Sequence, residues 1–198
     1  MENIFENLPN LYTNRIRLRR INKNDLEQFF SFLSNDNVTR YMIIDKIQDI
    51  KVVEKMMNFM IEGYKNNRPT PWAISLKEND EMIGICGFSK CDIQNGKAEV
   101  GYILSDKHWR QGIATEALKV VVDFAFNYMN LNKIEARCIS KNLASEKVML
   151  KANMKLDAIL REEKFHKQSY VDLKLYSILK EEYVSSDLYN YKVFFNEV

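Results

Sequence analysis

The chain is poor in the residues that build special-purpose scaffolds: of 198 residues, three are cysteine, three proline and six glycine. Cys86, Cys91 and Cys138 have neither metal-ligand spacing nor the even count of a disulfide framework, so no metal site is expected and a reducing, cytoplasmic setting is. Scarce glycine and proline exclude low-complexity and collagen-like chains. Long hydrophobic runs are missing too. The run VVVDFAF at 120–126 is interrupted by an aspartate and falls far short of the about 20 residues a membrane helix needs. The opening MENIFENLPN is acidic without an apolar centre, so neither a signal peptide nor a membrane partner is expected. Charge of one sign is also lacking. There are 29 lysines and arginines against 27 acids, and the basic residues are interspersed rather than striped, which argues against direct nucleic-acid binding.

What is present suits one globular domain with a substantial core: 46% of residues are hydrophobic and 28% charged. RIRLRR at 15–20 has the alternation of a half-buried strand. Asn24 or Asp25 can cap a helix reaching Leu33, with Leu26, Phe29, Phe30 and Leu33 as its apolar stripe. A second helix is expected over 47–64, with Ile50, Val53, Met57 and Ile61 at helical spacing, stopped by NNRPTP at 66–71. The period then changes. WAISL at 72–76 and MIGICGFSK at 82–90 read as a hairpin, and 99–104 as the third strand of a meander. A helix at 113–128, a strand at 134–139, a short helix at 144–151 capped by Asn142, and strands at 155–164 and 170–179 complete an α+β domain with helices on a mixed sheet. The domain is expected over 1–182. In the tail at 183–198, Leu188, Tyr191, Phe194 and Phe195 are expected to pack on the domain or on a partner subunit.

The segment 97–117, KAEVGYILSDKHWRQGIATEA, carries the most information. A strand runs into a glycine-bearing turn, and a strong helix follows at once. That junction aims unpaired backbone N–H groups at the turn, where Lys107 and Arg110 add positive charge, so a phosphate-bearing cofactor is expected there. His108 and His166 have no catalytic partner in the sequence; His108 is read as decorating the turn.

Four pieces occur in order: TNRIRLRRINKNDLEQFF, AEVGYILSDKHWRQGIATEALK, NLASEKVMLKANM and YVDLKLYSILKEEY. Together they resemble the GCN5-related N-acetyltransferase (GNAT) superfamily, in particular its branch of ribosomal-protein N-terminal (RimJ/RimL-like) acetyltransferases. The resemblance implies a three-layer α/β/α fold whose mixed, mostly antiparallel sheet is splayed between the parallel strands 99–104 and 134–139. Acetyl-CoA would lie in that opening, with backbone groups of Tyr102, Ile103 and Leu104 along the pantetheine and the Ile103 N–H as oxyanion donor. Gln111, Gly112, Ile113, Ala114 and Thr115 would surround the pyrophosphate, with Trp109 packed on the strand end. Arg110, Lys147 or Lys151 would meet the 3′-phosphate.

By the same resemblance Asn142 would orient the pantetheine arm and Ser145 would hydrogen-bond the sulfur. Both also read as helix-start residues. Many members place an acidic tyrosine where this chain has Met149, and a Gly–Phe pair where it has Asn153–Met154. Glu99 is the candidate base. The implied reaction is direct acetyl transfer to a primary amine. Neutralising an α-amine of pKa about 8 costs under about 1 kcal/mol near pH 7.5, against about 4 kcal/mol for a lysine-like amine. That favours a protein N-terminus, with a small-molecule amine (polyamine, aminoglycoside, amino sugar or amino acid) as the alternative and a non-catalytic acyl-CoA-binding module as a further one. The first two helices, the loop at 35–46 and the hairpin at 165–170 would select the acceptor, with Tyr41, Met42, Trp72, Phe88 and Tyr170 lining the groove. A monomer or homodimer is expected.

Overall fold

The framework is a nine-stranded sheet in the order β7-β8-β6-β5-β4-β3-β2-β1-β9. The computed structural model describes residues 3–42, 44–183 and 191–195; Leu188, expected to pack in the tail, lies outside them. The strands are β1 (Asn10–Tyr12), β2 (Ile16–Arg19), β3 (Pro71–Leu76), β4 (Met82–Asp92), β5 (Lys97–Leu104), β6 (Lys133–Ile139), β7 (Lys155–His166), β8 (Ser169–Leu179) and β9 (Lys192–Phe194). The α-helices are α1 (Leu26–Leu33), α2 (Asp36–Thr39), α3 (Ile50–Lys65), α4 (Ile113–Asn127) and α5 (Leu143–Lys151). Neighbouring strands are antiparallel except β5 and β6, which run parallel. This is the α+β architecture with helices flanking a mixed, mostly antiparallel sheet that the strand and helix pattern implies.

Local sequence explains most of the boundaries. Side chains of Asn35, Asp49 and Asn142 accept backbone N–H bonds at the starts of α2, α3 and α5. α3 therefore begins at Ile50 rather than 47, because Asp49 is the cap. Asn153 adopts φ 63° just past α5, the left-handed geometry that asparagine tolerates in place of glycine, and Met154 is buried. α4 is buried nearly all round, as a helix in a core layer must be.

The core corrects two acceptor-groove expectations. Trp72 is fully buried, its indole N–H donates to the Pro9 carbonyl at 2.7 Å, and its ring meets Phe124 edge-on at 5.4 Å. Phe88 is buried against Trp72 and Phe5. Both lie on strands in the interior of the sheet, so neither ring reaches a groove. β1 and β9 are too short to show a period in the sequence. Residues 191–195 return to the sheet, where β9 pairs with β1, Phe194 meets Tyr12 and Phe195 meets Tyr128. The hydroxyls of Tyr183 and Tyr191 both donate to Asp123 on α4.

One buried ion pair fastens β2 to the helical layer. The Arg19 guanidinium donates to both carboxylate oxygens of Asp25, at 2.6 and 2.8 Å, and Asp25 also accepts the Asn22 N–H. Arg19 Nε also donates to Asp80 at 3.0 Å, so losing Asp25 leaves the buried guanidinium only partly compensated. Asp25→Ala is expected to lower unfolding stability by about 3 kcal/mol, read from urea denaturation; a loss near zero would show that Arg19 finds other compensation.

Candidate functional site

The parallel pair at the centre of the sheet opens part-way along. The β5–β6 ladder runs from Lys97↔Lys133 to Val100↔Ala136 and stops there. β5 stays paired with β4 as far as Leu104, and β6 with β8 as far as Ile139. Residues 101–104 and 137–139 thus border a wedge. Gly101 stands at its apex, where an added Cβ would meet nothing within 4 Å.

The ladder also fixes which backbone groups face the wedge. The Ser105 N–H donates to the Ile83 carbonyl at 2.8 Å, and bonded pairs alternate along an antiparallel ladder. Ile103 therefore turns its N–H and C=O towards β4; its carbonyl lies so close that a Cβ on Gly84 would approach it to 2.3 Å. This corrects the expected oxyanion donor. Ile103 is occupied in the β4 ladder, and Tyr102 and Leu104 turn their backbone groups to the wedge. The Leu104 carbonyl accepts the Trp109 indole N–H at 2.8 Å, which seats that ring at the strand end.

Beyond β5 the chain makes a tight turn into α4. Arg110 and Gly112 both have left-handed backbones, φ 61° and 78°. Gly112 is the N-cap of α4 and, having no side chain, accepts none of the helix's first N–H groups. Arg15, which the local alternation marks only as a strand residue, reaches this turn. Its Nε donates to Glu116 at 2.8 Å and its Nη1 to the Gln111 carbonyl at 2.9 Å. Lys107, Arg110, Lys147 and Lys151 are exposed, and the two α5 lysines stand one turn apart.

Across the wedge, Asn142 caps α5 by accepting the Ser145 N–H at 3.1 Å. The Tyr102 hydroxyl donates to the Ser145 carbonyl and lies 2.8 Å from Ser145 Oγ. Burial pushes the Tyr102 phenol well above its ordinary range, so it stays protonated and acts as a hydrogen-bond donor. Met149, at the place of the missing tyrosine, is fully buried. Glu146, next to Ser145, accepts from the Lys174 ammonium at 2.7 Å and the Tyr176 hydroxyl at 2.5 Å, which ties α5 to β8.

Glu99 lies on the other face of the sheet. Its carboxylate is 3.4 Å from the Arg137 guanidinium, which is 3.9 Å from Glu163. Glu163 escapes alternation because β7 bulges between Leu160 and Lys164, where Glu162 takes φ 50° and donates its N–H to Asp172. The loop at 35–46 and the hairpin tip do meet. The His166 ring nitrogen Nε2 donates to the Met42 carbonyl at 2.9 Å, and Lys167 reaches the Thr39 carbonyl. Asp106, next to the turn, accepts from Asn35 and Asn37. Tyr41 is half-buried under Arg40, whereas Tyr170 is exposed edge-on to Phe165.

Residues 15–155 match the acetyltransferase (GNAT) domain family. The chain belongs to that family. Across 176 residues it is 34% identical to the uncharacterized N-acetyltransferase p20 of Bacillus licheniformis, covering 89% of this chain and 99% of the relative. The ribosomal-protein-serine acetyltransferase of Escherichia coli (strain K12) is 30% identical over 100 residues, half of this chain and 56% of that protein. The crystal structure of spermidine N-acetyltransferase from Vibrio cholerae in complex with CoA and spermine superposes with a TM-score of 0.74 at 20% identity, covering 84% of this chain and 96% of that one. The GNAT fold and acetyltransferase chemistry in general thus follow for this chain.

Lys174 and Tyr176 hold the Glu146 carboxyl below its usual range. A depressed carboxylate contributes stability that is present above its unfolded pKa, about 4.3, and lost as pH falls through the lower folded value. Glu146→Gln should therefore lower the melting temperature at pH 7 and flatten its decline under acid; an unchanged acid limb would remove this tie from the account.

Proposed function

We propose that the protein transfers the acetyl group of acetyl-CoA directly to a primary amine, with the N-terminal α-amine of a protein as the leading acceptor. The observation that carries this reading is the wedge that ends beside the uncapped start of α4, with a carboxylate on its other face. The donor set fits the ligand. Backbone groups of Tyr102 and Leu104 would bind the amides of the pantetheine arm, and the turn from Gln111 to Thr115 offers N–H groups to a diphosphate. Arg110, Lys147 and Lys151 supply positive charge for the 3′-phosphate. Acetyl-CoA brings an activated thioester; the chain's own groups do the rest.

The Tyr102 N–H, which faces the wedge, would stabilise charge on the thioester oxygen. The Ser145 hydroxyl would stand beside the leaving sulfur, held there by the Asn142 cap and the Tyr102 phenol. With its phenol pushed far above a thiol of pKa about 8.5, Tyr102 would orient Ser145 rather than give up its own proton. No strong acid is needed, since that thiolate is a tolerable leaving group near neutral pH. Glu99 would take the proton of the attacking amine, directly or through water, and Arg137 fixes its orientation. A single solvent-accessible glutamate suits an α-amine better than a lysine-like amine. Similarity to the ribosomal-protein-serine acetyltransferase supports the same acceptor. A cytoplasmic setting is part of the reading.

A second reading has its own support. The strand face bearing Glu99 and Arg137 gathers Glu99, Glu135, Asp157 and Glu163 against Lys133 and Arg137. Carboxylates are thus at hand for a small cationic amine, alongside Lys90 and Lys97 on the same face, and the likeness to the spermidine enzyme favours it too.

A CoA-release assay across N-terminal peptides, lysine peptides, polyamines, aminoglycosides and amino acids separates the readings. Turnover of N-terminal peptides is the expected result. Turnover confined to a small amine would replace the leading acceptor, and CoA binding without turnover anywhere would leave a binding module. Glu99→Gln is expected to reduce kcat by at least about 100-fold with CoA affinity retained; wild-type turnover in this variant would remove Glu99 from the mechanism.

A further inference from the structure

We infer that Arg15 is a positioning residue for the diphosphate of a CoA ligand, acting through the turn before α4. The inference rests on the phosphate reading of that turn given above. Arg15 sits between β1 and β2, 96 residues from Gln111 in sequence, yet its Nη1 holds the Gln111 carbonyl at 2.9 Å. Gln111 is flanked by two left-handed residues, Arg110 at φ 61° and Gly112 at φ 78°. A side-chain-bearing residue such as Arg110 adopts that geometry only at a cost of about 1–2 kcal/mol, so the turn needs a hold from outside. Arg15 supplies it.

The peptide plane converts this hold into a ligand-binding direction. In a trans peptide the carbonyl of one residue and the N–H of the next point to opposite sides. With the Gln111 carbonyl drawn to Arg15, the Gly112 N–H is turned away from the guanidinium, to the side left open for an anion. Arg15 Nη2 lies 3.7 Å from where a Gly112 Cβ would stand, so the guanidinium lies directly against the turn.

The same guanidinium controls charge. Glu116 lies in the first turn of α4 and is 2% exposed. A carboxylate there would repel a phosphate and compete for the helix N–H groups. Arg15 instead draws it aside through Nε and Nη2, which both donate to Oε2. One side chain therefore aims a donor at the anion and neutralises the nearest negative charge. Lysine cannot do both, because a single ammonium lacks the planar fork that reaches two acceptors at once.

The test is calorimetric binding of CoA and of pantetheine, which lacks the diphosphate and needs no acceptor amine, to the wild type, Arg15→Lys and Arg15→Gln. Wild type is expected to bind CoA well above pantetheine. Arg15→Lys keeps the charge beside Glu116 and so the fold, and is expected to weaken CoA about tenfold while pantetheine changes by less than about twofold. Arg15→Gln should weaken CoA further. Equal weakening of both ligands would mean a merely structural pair, and unchanged CoA binding in Arg15→Lys would remove Arg15 alone. A wild type that binds pantetheine as tightly as CoA would instead overturn the phosphate reading of the turn, and this inference with it.

Discussion

The rest of the site depends on one event in the sheet: β5 and β6 release each other after Val100 and Ala136. Backbone hydrogen bonds left unmade in a core are costly, so a sheet parts only where something else satisfies the exposed groups. Each strand keeps its outer neighbour, which preserves rigidity while two inner edges come free. The wedge thus offers the same kind of donors and acceptors that a further strand would use. Side chains alternate along β5, so Tyr102 meets Ser145 on the α5 side of the sheet, while Glu99, two residues before the apex, faces Arg137 on the other.

Around this opening, distant segments are brought together by a small number of polar ties. Arg15 joins the chain's first hairpin to the turn before α4, and Asp106 joins the same region to Asn35 and Asn37. Lys167 joins the far hairpin to Thr39 at the end of α2, and His166 joins it to Met42 just beyond. The wall that would select an acceptor is therefore braced from both sides, by the cofactor-side turn and by the β7–β8 tip.

The sequence made much of this legible and hid the rest for identifiable reasons. Periodicity and caps located the main helices, and the glycine turn at 112 stood out because a strand and a helix meet there. Glu99 sits on β5 two residues before the apex of the wedge, and Asn142 and Ser145 at the start of α5, where Ser145 meets Tyr102. Trp72 and Phe88 misled because an aromatic in a strand looks the same whether one face or both faces are covered. The Ile103 expectation fails because a family resemblance does not reveal which edge of this strand its backbone groups serve; the β4 register does. Glu163 was hidden by a bulge, and Arg15 by its reach of about a hundred residues, which no local pattern encodes.

The placement of β9 bears on how so long a sheet stays apart from other sheets. An unpaired strand edge is a template for any extended chain, and nine strands leave two of them. One edge ends in a three-residue strand, too short to recruit much, its neighbour shielded by the Tyr12–Phe194 contact. The other, β7, is kinked by its bulge and studded with Arg161, Glu162, Glu163 and Lys164. A nascent or clipped chain lacking residues 191–195 would uncover only the three residues of β1, so this edge stays a short template even without its last strand.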